Sequence, residues 1–158
     1  MINGTPYHVG MAVADMDAAL ERYGNQFGIE RWATLDATYD AWCHGVESVV
    51  TQRIAFAPWP MGGYLELVEG GTGTTCASDF LKERGEGMFH VGYSTTDVAQ
   101  RPAPVCFEVR NGAGIVYLDT FAELGYWLEL VPADRADALI TWIDDVAAGT
   151  PGVPAHRP

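Results

Sequence analysis

The chain has 158 residues, of which 48% are hydrophobic and 19% are charged. This length and balance indicate one compact domain or two small fused modules with a normal buried core, and they exclude a disordered chain. The formal net charge is −12, from 9 basic and 21 acidic residues. Such a surface repels phosphate backbones and anionic lipids, so we expect neither nucleic-acid nor membrane binding.

The chain holds three cysteines, Cys43, Cys76 and Cys106, which are widely spaced and include no CxxC pair. An odd number at such spacings argues against a disulfide framework and favours a reducing compartment. Residues 1–6 lack the basic and apolar regions of a signal peptide, and no window reaches the roughly 18 apolar residues that a membrane helix needs. We therefore expect a soluble, cytoplasmic protein.

The first half of the chain predicts a βαβββ module. Residues 7–13 are rich in strand-forming residues and lie between Pro6 and Asp15, which predicts a strand. Asp15 is suited to cap a following helix, whose apolar residues have helical spacing and which Gly28 ends. Three further strands are predicted at 31–35, 49–57 and 64–69.

The second half predicts a related module with less helix. A glycine-rich stretch and a short linker helix come first, and strands are then predicted at 89–95, 105–109, 115–119 and 127–131. Pro102 and Pro104 oppose a helix between the first two of these strands. Apolar residues at helical spacing predict an amphipathic helix over 134–148. The last ten residues are rich in proline and glycine, which predicts a loose tail.

The two halves repeat one another. Residues 8–16 read HVGMAVADM and residues 90–98 read HVGYSTTDV, while LELV occurs at both 65–68 and 128–131. A histidine, His8 or His90, thus opens each module, and a glutamate, Glu66 or Glu129, stands in each closing strand. Side chains alternate along a strand, so each glutamate points away from its flanking leucines. If the leucines pack under helices, two imidazoles and two carboxylates converge in the concave face of the sheet as ligands for one divalent ion.

A single histidine or glutamate in a strand is more often a core or solvated residue than a metal ligand. Packing gives no reason, however, to retain both residue types at both equivalent positions, so the pairing favours a four-ligand site. Mixed nitrogen and oxygen ligands suit Zn, Co, Ni, Mn or Fe(II) and do not choose among them.

This arrangement resembles the vicinal oxygen chelate superfamily, whose members include glyoxalase I, methylmalonyl-CoA epimerase, extradiol dioxygenases and fosfomycin- and bleomycin-resistance proteins. The segment DFLKERGEGMFHVG at 79–92 is most similar to the linker of the methylmalonyl-CoA epimerase branch. The resemblance implies an α+β fold in which two tandem βαβββ-type modules form a cupped mixed sheet. The second module lacks most of its helix, and a C-terminal helix follows. The expected boundaries are a chelate domain at 1–131, made of module 1 at about 5–69, a linker helix at 70–88 and module 2 at about 89–131, with the C-terminal helix and tail at 132–158.

The resemblance also implies a reaction class. His8, Glu66, His90 and Glu129 would bind the ion and leave two positions open for neighbouring oxygens of a small-molecule substrate or its enolate. Glu129 or Glu66 would then move the proton. This chemistry is that of a metal-dependent isomerase, an epimerase or a glyoxalase-like lyase.

Two features depart from the epimerase branch. That branch is expected to carry a second acid in the strand at 49–57, where this chain has Arg53 and no carboxylate, and Glu47 just before the strand is our candidate for this role. The shortened second module is expected to open the cup and leave a sheet face short of helical cover. The C-terminal helix could cover that face within the chain or across a homodimer. The few cations also argue against coenzyme A esters as substrates.

Two other functions stay open. An iron-dependent, extradiol-type dioxygenase would use the same site, although such members usually offer two histidines and one carboxylate. A drug-sequestering binding protein is the other alternative, although that class often lacks the full set of ligands. Most of the five tryptophans are expected in the core, with Trp42 and Trp59 the best candidates to line a pocket.

Overall fold

The structure is a computed structural model that describes residues 2–150. Its eight strands are β1 (Gly4–Val13), β2 (Ala33–Cys43), β3 (Val46–Pro58), β4 (Tyr64–Glu69), β5 (Gly87–Thr95), β6 (Val105–Val109), β7 (Val116–Leu118) and β8 (Trp127–Pro132). Its helices are α1 (Met16–Phe27), α2 (Cys76–Arg84), α3 (Phe121–Leu124) and α4 (Ala133–Ala147). Each strand and each helix expected from the sequence occurs, and the short α3 was not expected. The predicted loose tail lies mostly in residues 151–158, outside the described residues.

The strands form a closed barrel in the order β1-β4-β3-β2-β6-β7-β8-β5. Both halves pair in the same way, since β1 is parallel to β4 and β5 is parallel to β8, while the other pairs within each half are antiparallel. The expected mixed sheet is present, and it is closed, so the opening expected from the shortened second module does not occur. The physical reason is the length of β2, which continues eight residues past the predicted end at 35. Its last residues, Ala41–Cys43, thereby reach Phe107–Val109 of β6 and close the barrel.

The outer faces of the two halves are covered differently. Asp15 caps α1 by accepting a 3.0 Å hydrogen bond from the Ala18 N–H, and Gly28 ends the helix with a φ of 69°. The first leucine pair, Leu65 and Leu67, packs with α1 as expected. The second pair packs instead with side chains of the segment that links β5 to β6, where no helix forms; these are Leu128 and Leu130 with Val98 and Ala103.

Two helices cover the barrel interior. Phe80 and Ala77 of α2 pack with interior side chains such as Phe89 and Phe107. Helix α4 packs Trp142 and Ile143 against Ala33 and Phe56, on the same face of the sheet as Glu66, because Phe56 is paired with Glu66 across β3 and β4. The C-terminal helix thus packs within its own chain. It covers the inner face of the first half, and not the face that the shortened second module exposes.

Trp142 anchors α4 and provides a test of how much this helix contributes to stability. Its side chain is 5% exposed and its ring lies 6.5 Å from the Phe56 ring. Replacing Trp142 with alanine is expected to lower the free energy of unfolding by about 3–5 kcal/mol, because it leaves a cavity under the helix. Urea denaturation measures the loss. Met61, which is 74% exposed, supplies the control, and Met61→Ala is expected to change stability by less than about 0.5 kcal/mol.

Within residues 2–150, no helix has the length and the apolar character needed to cross a membrane.

Candidate metal centre

The four predicted ligand residues lie on four neighbouring strands. Glu66 is on β4, His8 on β1, His90 on β5 and Glu129 on β8, and these strands are consecutive in the barrel. All four side chains are buried, with exposed fractions of 0–7%. The symmetry of the repeat is visible in the pairing of the strands. On β1, Gly10 is paired with both Glu66 and His90, and on β5 Gly92 is paired with both Glu129 and His8.

The two glycines make room for the histidine rings. A Cβ atom on Gly10 would overlap the His90 imidazole, and one on Gly92 would overlap the His8 imidazole. Each ring therefore lies over the glycine of the other module. This gives a physical reason for the repeated HVG sequence, because the histidine of one copy depends on the glycine of the other. Sequence reasoning identified the histidines but assigned no role to these glycines.

The donor atoms of the four side chains converge on one point. The Nε2 atoms of His8 and His90 are 2.7 Å apart. His8 Nε2 lies 3.1 Å from Glu66 Oε2 and 2.9 Å from Glu129 Oε2, and His90 Nε2 lies 2.9 and 3.5 Å from the same two oxygens. Neither Oε2 atom has a partner with hydrogen-bond geometry within residues 2–150. The carboxylate oxygens and the imidazole nitrogens thus surround one shared centre.

The electrostatics of the cluster depend on this closeness. Burial opposes the charged form of His8, yet the adjoining carboxylates of Glu129 and Glu66 raise its pKa to about 10. Burial likewise acts to lower the pKa of His90, but the same two carboxylates raise it above its usual value. Burial acts to raise the pKa of both glutamates, but the two imidazoles hold the pKa of Glu66 and of Glu129 below the usual range. Positive charge at the centre is therefore strongly favoured.

These residues fit a divalent metal ion. Bonds of about 2.0–2.2 Å from a metal to nitrogen and oxygen place neighbouring ligand atoms roughly 3.0–3.4 Å apart in octahedral or tetrahedral sites. The distances from nitrogen to oxygen in the cluster, 2.9–3.5 Å, match that spacing. Two neutral imidazoles and two carboxylates carry a charge of −2, which one divalent cation balances. The same four residues form one of the two groups of potential metal ligands in the described chain.

A cavity of about 180 Å³ adjoins the cluster. His8, Glu66 and Glu129 line one side, and Arg135 and Trp142 of α4 line another; further lining residues are Tyr7, Tyr39, Gln52, Ile54, Phe56, Phe107 and Tyr117. Tyr39 could not be singled out from the sequence, because the predicted second strand ended before it. Tyr7 reaches the cavity because the pairing of β1 with β5 shifts register between Pro6 and His8.

Some polar atoms that line the cavity have no hydrogen-bond partner in residues 2–150. The amide nitrogen of Gln52 donates to the Tyr39 hydroxyl at 2.9 Å. Gln52 Oε1 and the Tyr7 hydroxyl are both buried and have no hydrogen-bond partner in residues 2–150. Burial, with a contribution from the charges of Glu129 and Glu66, raises the pKa of Tyr7 and of Tyr117 well above its usual value. Both phenols are therefore neutral donors at physiological pH.

The structure does not bring every candidate residue to the centre. Glu47 is exposed on the outer face of β3, where its carboxylate lies 3.5 Å from the Arg110 guanidinium. Arg53 also faces outward and pairs with Asp17 at 2.8 Å. The reason is the register of β3, whose alternate residues Gln52, Ile54 and Phe56 face the cavity. Trp42 and Trp59 do not line the cavity either, and the tryptophan that does is Trp142.

Residues 7–103 match the sequence profile of the Glyoxalase/Bleomycin resistance protein/Dioxygenase superfamily. The match spans more than half of the chain. The protein belongs to this superfamily. The resemblance inferred from the repeated HVG and LELV segments is thereby confirmed. No curated protein sequence matches the chain at a significant level.

Several solved structures share the fold. A variant of the Streptomyces coelicolor methylmalonyl-CoA epimerase in complex with 2-nitronate-propionyl-CoA aligns with a TM-score of 0.56 and 22% identity, over 84% of this chain and 99% of that one. A methylmalonyl-CoA epimerase in complex with methylmalonyl-CoA and NH4+ aligns with a TM-score of 0.56 and 22% identity, over 83% and 95%. A hypothetical protein from Bacillus halodurans aligns with a TM-score of 0.55 and 19% identity, over 82% and 94%. At these identities the likeness concerns the fold.

Proposed function

We propose that the protein is a divalent-metal-dependent isomerase, epimerase or lyase that removes a proton from carbon in a small substrate with neighbouring oxygens. The observation that carries the proposal is the convergence of four buried donor atoms, from His8, Glu66, His90 and Glu129, beside a cavity of about 180 Å³. Membership of the superfamily and the fold shared with the epimerases support the same class of reaction.

The roles of the side chains follow from their chemistry. His8 and His90 would hold the ion through Nε2, and Glu66 and Glu129 through one carboxylate oxygen each. The second oxygen of each carboxylate has lone pairs that can accept a proton. When bound, the ion would supply the positive charge that stabilises an enolate oxygen of the substrate and makes the adjacent C–H bond acidic.

Glu66 and Glu129 are the only carboxylates that line the cavity in the described part of the chain. Tyr7 and Tyr117 remain neutral there and can donate hydrogen bonds but do not serve as bases. Both transfers, removal of the proton and its return, therefore fall to the two glutamates. Because they come from opposite modules, one can remove a proton while the other returns one, and a second acid on β3 is not required.

The cavity suggests the class of substrate. Apolar side chains of β2, β3 and α4 make up much of its wall, and Arg135 is the only lysine or arginine that lines it within residues 2–150. A small, largely apolar molecule with two neighbouring oxygens and an anionic group facing Arg135 would fit this lining. The epimerase structures hold coenzyme A esters, whereas the net charge of −12 on this chain disfavours a ligand with several phosphates.

Exchange of a substrate proton with solvent tests the proposed reaction. Metal-loaded protein in deuterated water is expected to place deuterium on the acidic carbon of substituted malonyl thioesters, hemithioacetals or β-keto acid derivatives, as read by mass spectrometry. Glu129→Gln is expected to slow that exchange by about 100-fold or more, because an amide cannot accept the proton. Metal content is measured on the same samples, so that loss of the base is separated from loss of the ion.

Glu47→Gln is the matched control, since it makes the same chemical change on the outer face of β3, and it is expected to exchange protons at the wild-type rate. Equal exchange by the Glu129→Gln and wild-type proteins would contradict the role of Glu129. Consumption of oxygen with catechols, and no deuterium uptake by any of these carbon acids, would assign the site to a dioxygenase. Tight binding of a ligand without either activity would assign the protein to the sequestering class.

A further inference from the structure

A second cluster of potential metal ligands lies apart from the four residues of the metal centre. Its potential ligands are Cys43, His44 and Cys76, and the third cysteine of the chain, Cys106, adjoins this group through Cys76. The ligand atoms of Cys43, His44 and Cys76 all lie within 4.8 Å of one another. The Sγ atoms of Cys76 and Cys106 are 3.9 Å apart. The three thiols are free and buried, while His44 is exposed.

Four different parts of the fold bring these residues together. Cys43 ends β2, and His44 follows in the two-residue turn to β3, where the φ angles of His44 and Gly45 are 46° and 89°. Cys76 is the first residue of α2, and Cys106 lies on β6. The backbone N–H of His44 donates to the Cys106 carbonyl at 2.8 Å, which fixes the turn against β6.

We infer that Cys43, His44, Cys76 and Cys106 form a second metal site, specific for a thiophilic ion such as Zn²⁺ or Cd²⁺. Bonds of about 2.3 Å from zinc to sulfur place sulfur atoms roughly 3.8 Å apart in a tetrahedral site. The 3.9 Å between the Sγ atoms of Cys76 and Cys106 matches this value. Three sulfur atoms and one nitrogen are the ligand set of many structural zinc sites.

The exposed histidine distinguishes this cluster from ordinary packing of cysteines. Buried thiols often serve only as small apolar side chains, and the cysteines here do contact Phe107 and other core residues. Packing alone, however, does not require a solvent-exposed imidazole with a ring nitrogen within 4.8 Å of two of the sulfur atoms. His44 also offers an ion a way in from solvent. Each thiol that binds the ion releases its proton to water, and no oxidant or reductant takes part.

The location suggests that the ion has a structural role. The two halves of the barrel meet along two seams. The seam between β1 and β5 contains eight residue pairs, and the seam between β2 and β6 contains only three. The cluster lies at the short seam and joins residues of the first half, of the second half and of α2. An ion bound there would tie these parts together and stabilise the closure of the barrel. The inference is independent of the proposed proton transfer.

Titration with cadmium tests the inference, because thiolate ligands give a charge-transfer absorption band in the ultraviolet that nitrogen and oxygen ligands do not. Reduced, metal-free, full-length protein is expected to develop this band with saturation at one Cd²⁺ per chain. The band is expected to persist in His90→Ala, where the other site is disabled. It is expected to be lost in Cys76→Ser and to need at least about 10-fold more cadmium in His44→Asn.

Thermal unfolding provides a second readout. Cadmium is expected to raise the Tm of His90→Ala by about 5 °C or more at saturation and to leave the Tm of the His90→Ala/Cys76→Ser protein unchanged. Circular dichroism shows whether Cys76→Ser is folded, and the exposed His44→Asn change tests the site without altering the core. Absence of the band in the wild-type protein, or an identical titration of the wild-type and His44→Asn proteins, would overturn the inference.

Discussion

Replacing His90 with alanine is expected to lower the affinity of the metal centre for a divalent ion by at least about 100-fold. Changes to residues that only support a metal ligand already cost about 10–100-fold in affinity, and His90 is proposed as a ligand itself. The substitution also leaves the buried Glu66 and Glu129 carboxylates with one imidazole, His8, in place of two. Isothermal titration with Zn²⁺, Co²⁺, Ni²⁺ and Mn²⁺ would measure the loss.

The control for this variant lies one residue away. Val91 is on the same strand but points to the outer face, where it packs near Leu128 and Leu130. Val91→Ala is expected to cost some stability while binding metal as the wild-type protein does. Because cadmium and zinc can also bind thiols, the comparison is made in a Cys76→Ser background. Equal metal occupancy of the His90→Ala and control proteins would show that the four residues do not form the metal site.

Adding one methyl group at Gly92 is expected to remove metal binding as effectively as removing a ligand. A Cβ atom there overlaps the His8 ring, which must then leave the position from which Nε2 faces Glu66 and Glu129. The ring has little room to move, since His8 is buried and its neighbour Tyr7 lies 4.4 Å away between ring centres. We expect at least about a 100-fold loss of affinity in Gly92→Ala, measured by the same titration.

Gly112→Ala provides the comparison for this prediction. Gly112 has a φ of 79° and no atom within 4 Å of an added Cβ, so the substitution costs about 1 kcal/mol of backbone strain without touching the metal centre. It is expected to lower Tm and to leave metal affinity unchanged. If Gly92→Ala bound metal as tightly as Gly112→Ala, the proposed dependence of each histidine on the glycine of the other module would be wrong.

The candidate metal residues could be predicted from the sequence alone, because the repeat identifies equivalent positions without any knowledge of distances. His8 and His90 begin the two copies of one repeated segment, and Glu66 and Glu129 lie within the two copies of another. The alternation of side chains along a strand predicts which way each glutamate points. The caps of α1 could also be predicted, since Asp15 and Gly28 act through local backbone geometry. These features depend on short stretches of chain, so the local sequence pattern is sufficient to predict them.

The features that depend on contacts between distant parts of the chain could not be predicted without the fold. The closure of the barrel depends on three residue pairs between β2 and β6. The inner position of α4 depends on its contacts with Ala33 and Phe56. The register of β3 places Glu47 on the outer face, away from the metal centre. A shift of one residue in register moves a strand side chain from one face to the other, and no local pattern specifies that register to one residue. The thiol cluster has the same origin, since its four residues come from β2, the following turn, α2 and β6.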